Sequence, residues 1–468
     1  QQSTVTFIVD TDPGAKTTSL ETLLLFAKTE QSKLDEKIVK SWIDAFKHEI
    51  SDYNQKDLIV LYPALNQLFI LFKSYIPKYS QSIVEAIEQS KNPQQNQQVI
   101  IPHTLTLINT LIRYSQNVDN LATSLCKLLN RYLNQNKLCL STISYLYYHS
   151  TNKSIKQLND LNTQIINLAK TSQNSINVIE PLSIFVSMFD NGLDALSTIL
   201  NLASNNNKRI MKAVNRAIVL ISTSPHKDIL KTKNNEIFSI INSNLNENDT
   251  SNLYYSLCAI YACLSCDIFD VKQRNSIVPS LIDFLKKNDD RISLISVLCL
   301  QKLSMLESVQ KSFLAVVEVV LESKEYLPVE LIKEMSEVLK PVPETQLNQL
   351  IDKLISKTSI NIFIFIGFLT AQNQKLLNNS IQKLEKQVNS SGFIIQCIGE
   401  IGYRSSLANY KSIIEKVFAL VVCDDRLIFS NAAVSAGLIS ANENAFDVIF
   451  PQLVQKTIND PDHISTWL

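Results

Sequence analysis

The sequence predicts an all-α chain folded as a right-handed α–α superhelix of stacked helical hairpins, and three observations predict it. The first is a shortage of glycine. Only 7 stand among 468 residues, against a usual ~7%, which removes most folds built on tight turns, β-hairpins or phosphate-cradling loops. The second is the 3.6-residue period of an amphipathic helix in almost every segment between polar tracts. The third is the return of one such pattern about 36 residues later, the length of a two-helix repeat. A hydrophobic share of 45% lets a chain of this size bury a large core.

The elements that justify the repeat come in order. Tyr410, Ile413, Ile414, Val417, Phe418 and Val421 form one apolar stripe, and Phe446, Ile449, Phe450, Leu453 and Val454 form the next. Two apolar residues, a proline and a leucine recur as Leu61, Tyr62, Pro63, Leu65; Ile277, Val278, Pro279, Leu281; and Ile449, Phe450, Pro451, Leu453. A proline inside a helix deletes a hydrogen bond and bends the axis, so this recurrence predicts the same bend in the first helix of each unit. Each first helix then ends in an acidic turn: Asp289, Asp290, Arg291; Asp424, Asp425, Arg426; and Asp460, Pro461, Asp462. A carboxylate there can cap the next helix and meet its N-terminal partial charge. Small residues on the second helix, such as Ala432, Ala433, Ala436 and Gly437, predict a close approach to the next unit.

These features together resemble the HEAT repeat, with a proline in its first helix, an Asp-rich turn, and a basic residue with alanines in its second. The resemblance is good in 271–304 and 374–468 and looser in 56–224, where Asn and Ser blur it. It implies a HEAT/armadillo-like solenoid. One hairpin cannot bury its stripe alone, so units must stack, and at ~36–42 residues each the chain holds about 11 or 12. The expected organisation is a tail over 1–18 and one continuous solenoid over 19–468. A start at Gln1 rather than Met, and a close at Leu468 inside a helical pattern, suggest a piece of a longer chain.

Composition narrows function without naming it. Lys+Arg and Asp+Glu are both 44, so no overall field draws the chain to nucleic acid or anionic lipid. No apolar run reaches the ~18–20 residues of a membrane helix. The 8 cysteines, at 126, 139, 258, 263, 266, 299, 397 and 423, lack the spacing of a disulfide framework and point to a reducing cytoplasm or nucleus. Asparagine and glutamine runs such as 205–207 and 94–98 read as loop padding.

Candidate chemistry is sparse. Phe7, Ile8, Val9, Asp10, Thr11, Asp12, Pro13, Gly14 is similar to the metal-binding opening of nucleoside hydrolases. That family follows the glycine with two more aspartates, where this chain has Ala15, Lys16 and Thr17, and calcium needs 6–8 oxygen ligands. Gly14, Ala15, Lys16, Thr17 also mimics the end of a P-loop without its first glycine. Cys263 and Cys266 form one C-x-x-C, but no second ligand pair accompanies it and the run is apolar and helical, so helix packing is expected. The histidines at 48, 103, 149, 226 and 463 show no metal or triad spacing. No catalytic, cofactor-binding or metal-binding residue is assigned. Two charge runs stand out as footprints for a partner or as solvated faces: basic Lys208, Arg209, Lys212, Arg216, Lys227, Lys231, Lys233, and acidic Glu318, Glu322, Glu325, Glu330, Glu334, Glu337.

Residues from about Phe393 to Thr457 are similar to one segment of the CAND family of cullin-associated scaffolds, through Ile398, Gly399, Glu400, Ile401, Gly402, then Ala432, Ala433, Ala436, Gly437, Ile439, Ser440, Asn444, and finally Phe446, Ile449, Phe450, Pro451, Leu453. Four of the seven glycines lie in or beside it, and it covers about a seventh of the chain. The resemblance implies a non-enzymatic clamp on a cullin with its RING partner, regulating receptor exchange in ubiquitin ligases. The expected function is therefore a protein-interaction scaffold with partners along its concave surface, without nucleic acid, cofactor or membrane insertion. The alternatives are a vesicle-coat or adaptor trunk, an importin-like transport protein, and the nucleoside hydrolase-like enzyme suggested by Asp10 and Asp12.

Overall fold

The computed structural model describes residues 13–443, apart from 32–33, 53–54, 91–96, 134–136, 153–154, 172–174, 205–206, 246–248, 390 and 424. Within these residues every regular element is helical, as the composition requires. The chain divides into two compact units, Gln1–Ile240 and Ile241–Leu468.

The first unit contains α1 (Pro13–Thr29), α2 (Glu36–Asp52), α3 (Gln55–Leu71), α4 (Ile76–Gln89), α5 (Gln97–Tyr114), α6 (Asp119–Tyr132), α7 (Lys137–His149), α8 (Lys156–Ala169), α9 (Ser175–Met188), α10 (Leu193–Ala203) and α11 (Lys208–Ser222). Successive helices pair as hairpins, and alternate helices stack into two rows, α1-α3-α5-α7-α9-α11 and α2-α4-α6-α8-α10. The odd row packs more closely than the even one. A two-row stack must curve toward its tighter side, so the odd helices line the inner face of this unit. The helix α12 (Asn234–Asn244) spans the boundary.

The second unit repeats the plan with α13 (Thr250–Ser265), α14 (Val271–Phe284), α15 (Asp290–Lys302), α16 (Glu307–Glu322), α17 (Val329–Val338), α18 (Glu344–Ile355), α19 (Ile360–Ala371), α20 (Gln374–Glu385), α21 (Gly392–Arg404), α22 (Lys411–Ala419) and α23 (Arg426–Glu443). Its odd helices again form the tighter row. α19 reads INIFIFIGFLTA with no amphipathic period. It is buried nearly all round, since hairpins pack against it on both sides. At 12 residues it is too short to cross a bilayer, and no single helix among the described residues is long and apolar enough to do so.

The acidic turns cap as expected. Asp289 Oδ1 accepts from the backbone N–H of Arg291 (3.0 Å) and Ile292 (3.4 Å) at the head of α15. Asp425 does the same for Leu427 (2.9 Å) and Ile428 (3.0 Å) at α23. Asp460 to Asp462 lie outside the described residues. Asp270 adds a full capping box with Gln273 at α14.

Three expectations need correction. Pro63 lies in α3, on the odd row, whereas Pro279 lies in α14, on the even row, so the two are not one position of a common unit. Pro102 and Pro181 share the odd row with Pro63, and Pro451 is outside the described residues. The apolar-apolar-Pro-x-Leu pattern suits either helix of a hairpin, because both are amphipathic. Secondly, among the described residues α1 opens at Pro13, inside the stretch expected as a tail, and not near residue 19. Proline suits a first helical turn because its missing N–H would have had no partner there. Thirdly, Gly437 does not mediate a close approach: nothing lies within 4 Å of a Cβ placed on it.

The close approach is made from the preceding odd helix. A Cβ on Gly399 of α21 would stand 2.6 Å from Ser435 Oγ of α23, and one on Gly402 would stand 2.6 Å from Ile439. Gly367 of α19 lies equally close to the Glu400 carbonyl, at 2.7 Å. Polar side chains bind the same rows together. Ser435 Oγ donates to the Ile395 carbonyl (2.8 Å), and Asn442 donates to those of Gly402 (2.7 Å) and Tyr403 (2.6 Å). Between the rows, the buried Asn361 of α19 donates to the Leu321 (3.0 Å) and Lys324 (2.9 Å) carbonyls and accepts from Leu327 N–H (3.0 Å), which satisfies the end of α16.

Candidate protein-interaction surfaces

Of the residues weighed for chemistry, Asp10, Thr11, Asp12 and His463 lie outside the described residues. Gly14 and Thr17 are in α1, a helix rather than a phosphate loop. Cys263 is buried within α13 and burial pushes its thiol up, while Cys266 is half-buried at that helix's C-cap. All eight cysteines are free, and burial raises Cys126 and Cys139 to about 12, which keeps those thiols protonated. His226 faces Asp190 at 3.3 Å, and His48 lies beside Glu49. Burial first, then Arg113, holds His149 below its usual value. Among the described residues no group of three or more His, Cys, Asp or Glu could hold a metal ion.

The two charge runs have different fates. In the acidic run, Glu318 pairs with Lys353 and Lys357 (2.9 Å to the latter), and Glu322 with Lys357 (3.3 Å). Lys353 belongs to α18 and Lys357 to the turn just after it, so this part of the run braces α16 against the next hairpin. Glu337 accepts from Gln372 (2.7 Å). In the basic run, Lys231 and Lys233 are matched locally by Asp228 (2.7 Å) and Glu236 (2.8 Å). Arg209 and Arg216 make no ion pair among the described residues.

The folding of α11 explains their exposure. Asn207 caps the helix, accepting from the N–H of Arg209 (3.0 Å) and Ile210 (3.4 Å). Ile210, Met211, Val214, Ala217, Ile218 and Ile221 then form the buried stripe. Arg209, Lys212 and Arg216, spaced by three and four, share the opposite face of the helix. Alongside lies α9, fixed to α7 by a ring cluster in which Phe185 stacks on Phe189 (4.4 Å between centroids) and meets Tyr147 edge-on (5.2 Å). Between α9 and α11 runs an open groove of about 570 Å³, its α9 wall carrying Ile176, Glu180 and Ser183 and its α11 wall Arg209, Lys212 and Arg216.

Every odd helix of the first unit exposes a large apolar side chain: Phe26, Ile70, Val99, Tyr148, Ile176 and Leu220. Among the described residues of its even row only Leu193 does so to a comparable degree. All six helices belong to the same tighter row of the unit, and exposed apolar groups that adjoin one another mark binding surfaces. The sequence made the basic run visible. It gave no sign that α9 would lie opposite, and it hid the cap Asn207 inside an asparagine run read as padding.

No family model and no curated protein matches the chain by sequence. Solved structures match by fold. Importin beta aligns at TM-score 0.57 and 10% identity, over 97% of this chain and 65% of the importin chain. Yeast importin-beta (Kap95p) aligns at 0.53 and 11%, over 98% and 64%. A further Kap95p structure, described as inducing the switch loops of RanGDP to adopt the GTP-bound conformation, aligns at 0.54 and 9%, over 97% and 65%. This chain thus spans about 65% of the length of these HEAT-repeat solenoids. At such low identity the likeness establishes the fold: an all-α helical-repeat solenoid.

Proposed function

We propose that the chain is a non-enzymatic protein-binding solenoid acting as a carrier of the importin-beta kind, shuttling between cytoplasm and nucleus, with its repeats continuous from the first helix to the last. The observation that carries this reading is the apolar side chains presented from each odd helix of the first unit, on a fold shared with importin beta over 97% of the chain. A stacked inner row offers many small contacts that sum to a selective interface. The near-balance of acidic and basic residues favours partners recognised by local patches over partners drawn in by net charge.

The cullin-clamp reading rests on the 393–457 stretch. Its described residues Gly399, Gly402, Ala432 and Ala436 pack helix against helix, and such positions are shared by any tight solenoid. It therefore stands second. A direct test is titration of the purified chain with Ran in its GDP and GTP forms, beside a purified cullin-RING complex. Saturable binding that differs between the two nucleotide states supports the carrier. Binding to the cullin complex alone moves the assignment to the clamp, and binding to neither removes both.

A further inference from the structure

We propose that the groove between α9 and α11 seats a short acidic peptide segment with apolar anchors, supplied by a partner protein. This deepens the preceding proposal and rests on its premise that the odd row binds proteins. Charge is the first argument. Three cations, Arg209, Lys212 and Arg216, line the groove against a single carboxylate, Glu180, although the chain as a whole is neutral. The guanidinium groups of Arg209 and Arg216 are exposed and carry no ion pair among the described residues, so a carboxylate can reach each one in the two-pronged geometry arginine favours.

Shape is the second. Ile176, 39% exposed, opens the α9 wall, and Leu220, 42% exposed, closes the α11 wall, so the groove has an apolar contact toward each end. From Arg209 to Leu220 the helix rises about 16 Å, enough for roughly five residues of extended peptide. A segment alternating acidic and apolar residues meets both features at once. Nucleic acid fits less well, because the groove lining contains no aromatic ring on which a base could stack and Glu180 would repel a phosphate chain.

The test uses the full chain and fluorescein-labelled octapeptides read by anisotropy: one alternating Asp and Leu, one alternating Lys and Leu, an octaglutamate, and an oligothymidylate of similar charge. The Asp-Leu peptide should bind, more weakly as salt rises. The double variant Arg209→Glu, Arg216→Glu should lower its affinity about tenfold or more and should gain affinity for the Lys-Leu peptide. Both sites are exposed, so the thermal unfolding profile of the variant should match that of the parent, which separates lost binding from lost folding. Equal Asp-Leu affinity in parent and variant would overturn the assignment. So would octaglutamate or oligothymidylate binding as tightly as the Asp-Leu peptide, since the site would then read charge alone. Ran binding without peptide binding rejects the groove and keeps the carrier; peptide binding without Ran binding does the reverse.

Discussion

Between α9 and α11, neighbouring helices of one inner row leave a groove of about 570 Å³ walled by arginine, lysine and isoleucine. Between α21 and α23, the equivalent neighbours of the second unit close on each other, with Gly399 against Ser435 and Gly402 against Ile439. Both pairs follow the same helix-on-helix plan. What separates them is the side chain at the crossing: α21 has hydrogen atoms where its neighbour arrives, so backbone and side chain meet directly. The α11 face instead carries the long, exposed side chains of Arg209 and Arg216, whose charge favours water. One row is therefore core there and surface here, and a solenoid can turn packing into recognition by changing a few residues without changing its fold.

The sharpest way to break that comparison is to remove what holds the groove's apolar wall in place. Phe185→Ala deletes the ring that stacks on Phe189 and abuts Tyr147, and it should cost about 3–5 kcal/mol. Hydrogen exchange should show the loss concentrated in α7 and α9. A change below about 1 kcal/mol would mean that the ring cluster does not fix α9, leaving the groove without a rigid wall.

A smaller effect separates the two crossings directly. Gly399→Ala places a methyl group 2.6 Å from Ser435 Oγ, and should destabilise the second unit by about 1–3 kcal/mol in urea unfolding. Ala213→Leu, which adds bulk to the open groove, should change stability by no more than about 0.5 kcal/mol. Equal costs at the two sites would abolish the distinction between closed and open crossings.

The smallest effect concerns the acidic run. Hydrogen bonds from Lys353 and then Lys357 hold the Glu318 carboxyl below its ordinary value of 4.5. A depressed carboxylate stabilises the folded state while it is ionised. Its contribution is complete above 4.5 and is withdrawn as pH falls through the lowered folded value. Lys353→Met with Lys357→Met should therefore lower the urea midpoint slightly at pH 7, and progressively less on acidification below 4.5. A cost that stays constant into the acid range would show that the lysines act through their hydrocarbon stems, not their charge.

Much of the fold was legible because its causes are local. Asp289 and Asp425 announce helix starts, since a carboxylate placed before an apolar run can reach the next N–H groups whatever lies beyond. The apolar stripes announce helices in the same way. Pro63 and Pro279 misled, because a bend compatible with either helix of a hairpin does not say which row it occupies. The small-residue face of α23 was half legible: Ala432 and Ala436 are buried, Gly437 is open, and the glycines that matter sit one hairpin earlier.

The sequence by itself determined that this chain is helical, repetitive and rich in buried apolar stripes, because helix periodicity and capping act over a few residues and are written in contiguous text. Tertiary structure alone decided which charges would be consumed and which displayed. Glu318 is neutralised by lysines 35 and 39 residues away, while Arg209 and Arg216 face α9, some thirty residues back, across an open groove. Whether a side chain meets a partner or water depends on which helix the stack brings beside it, and that neighbour is fixed by how hairpins nest, not by any residue next to it in the chain.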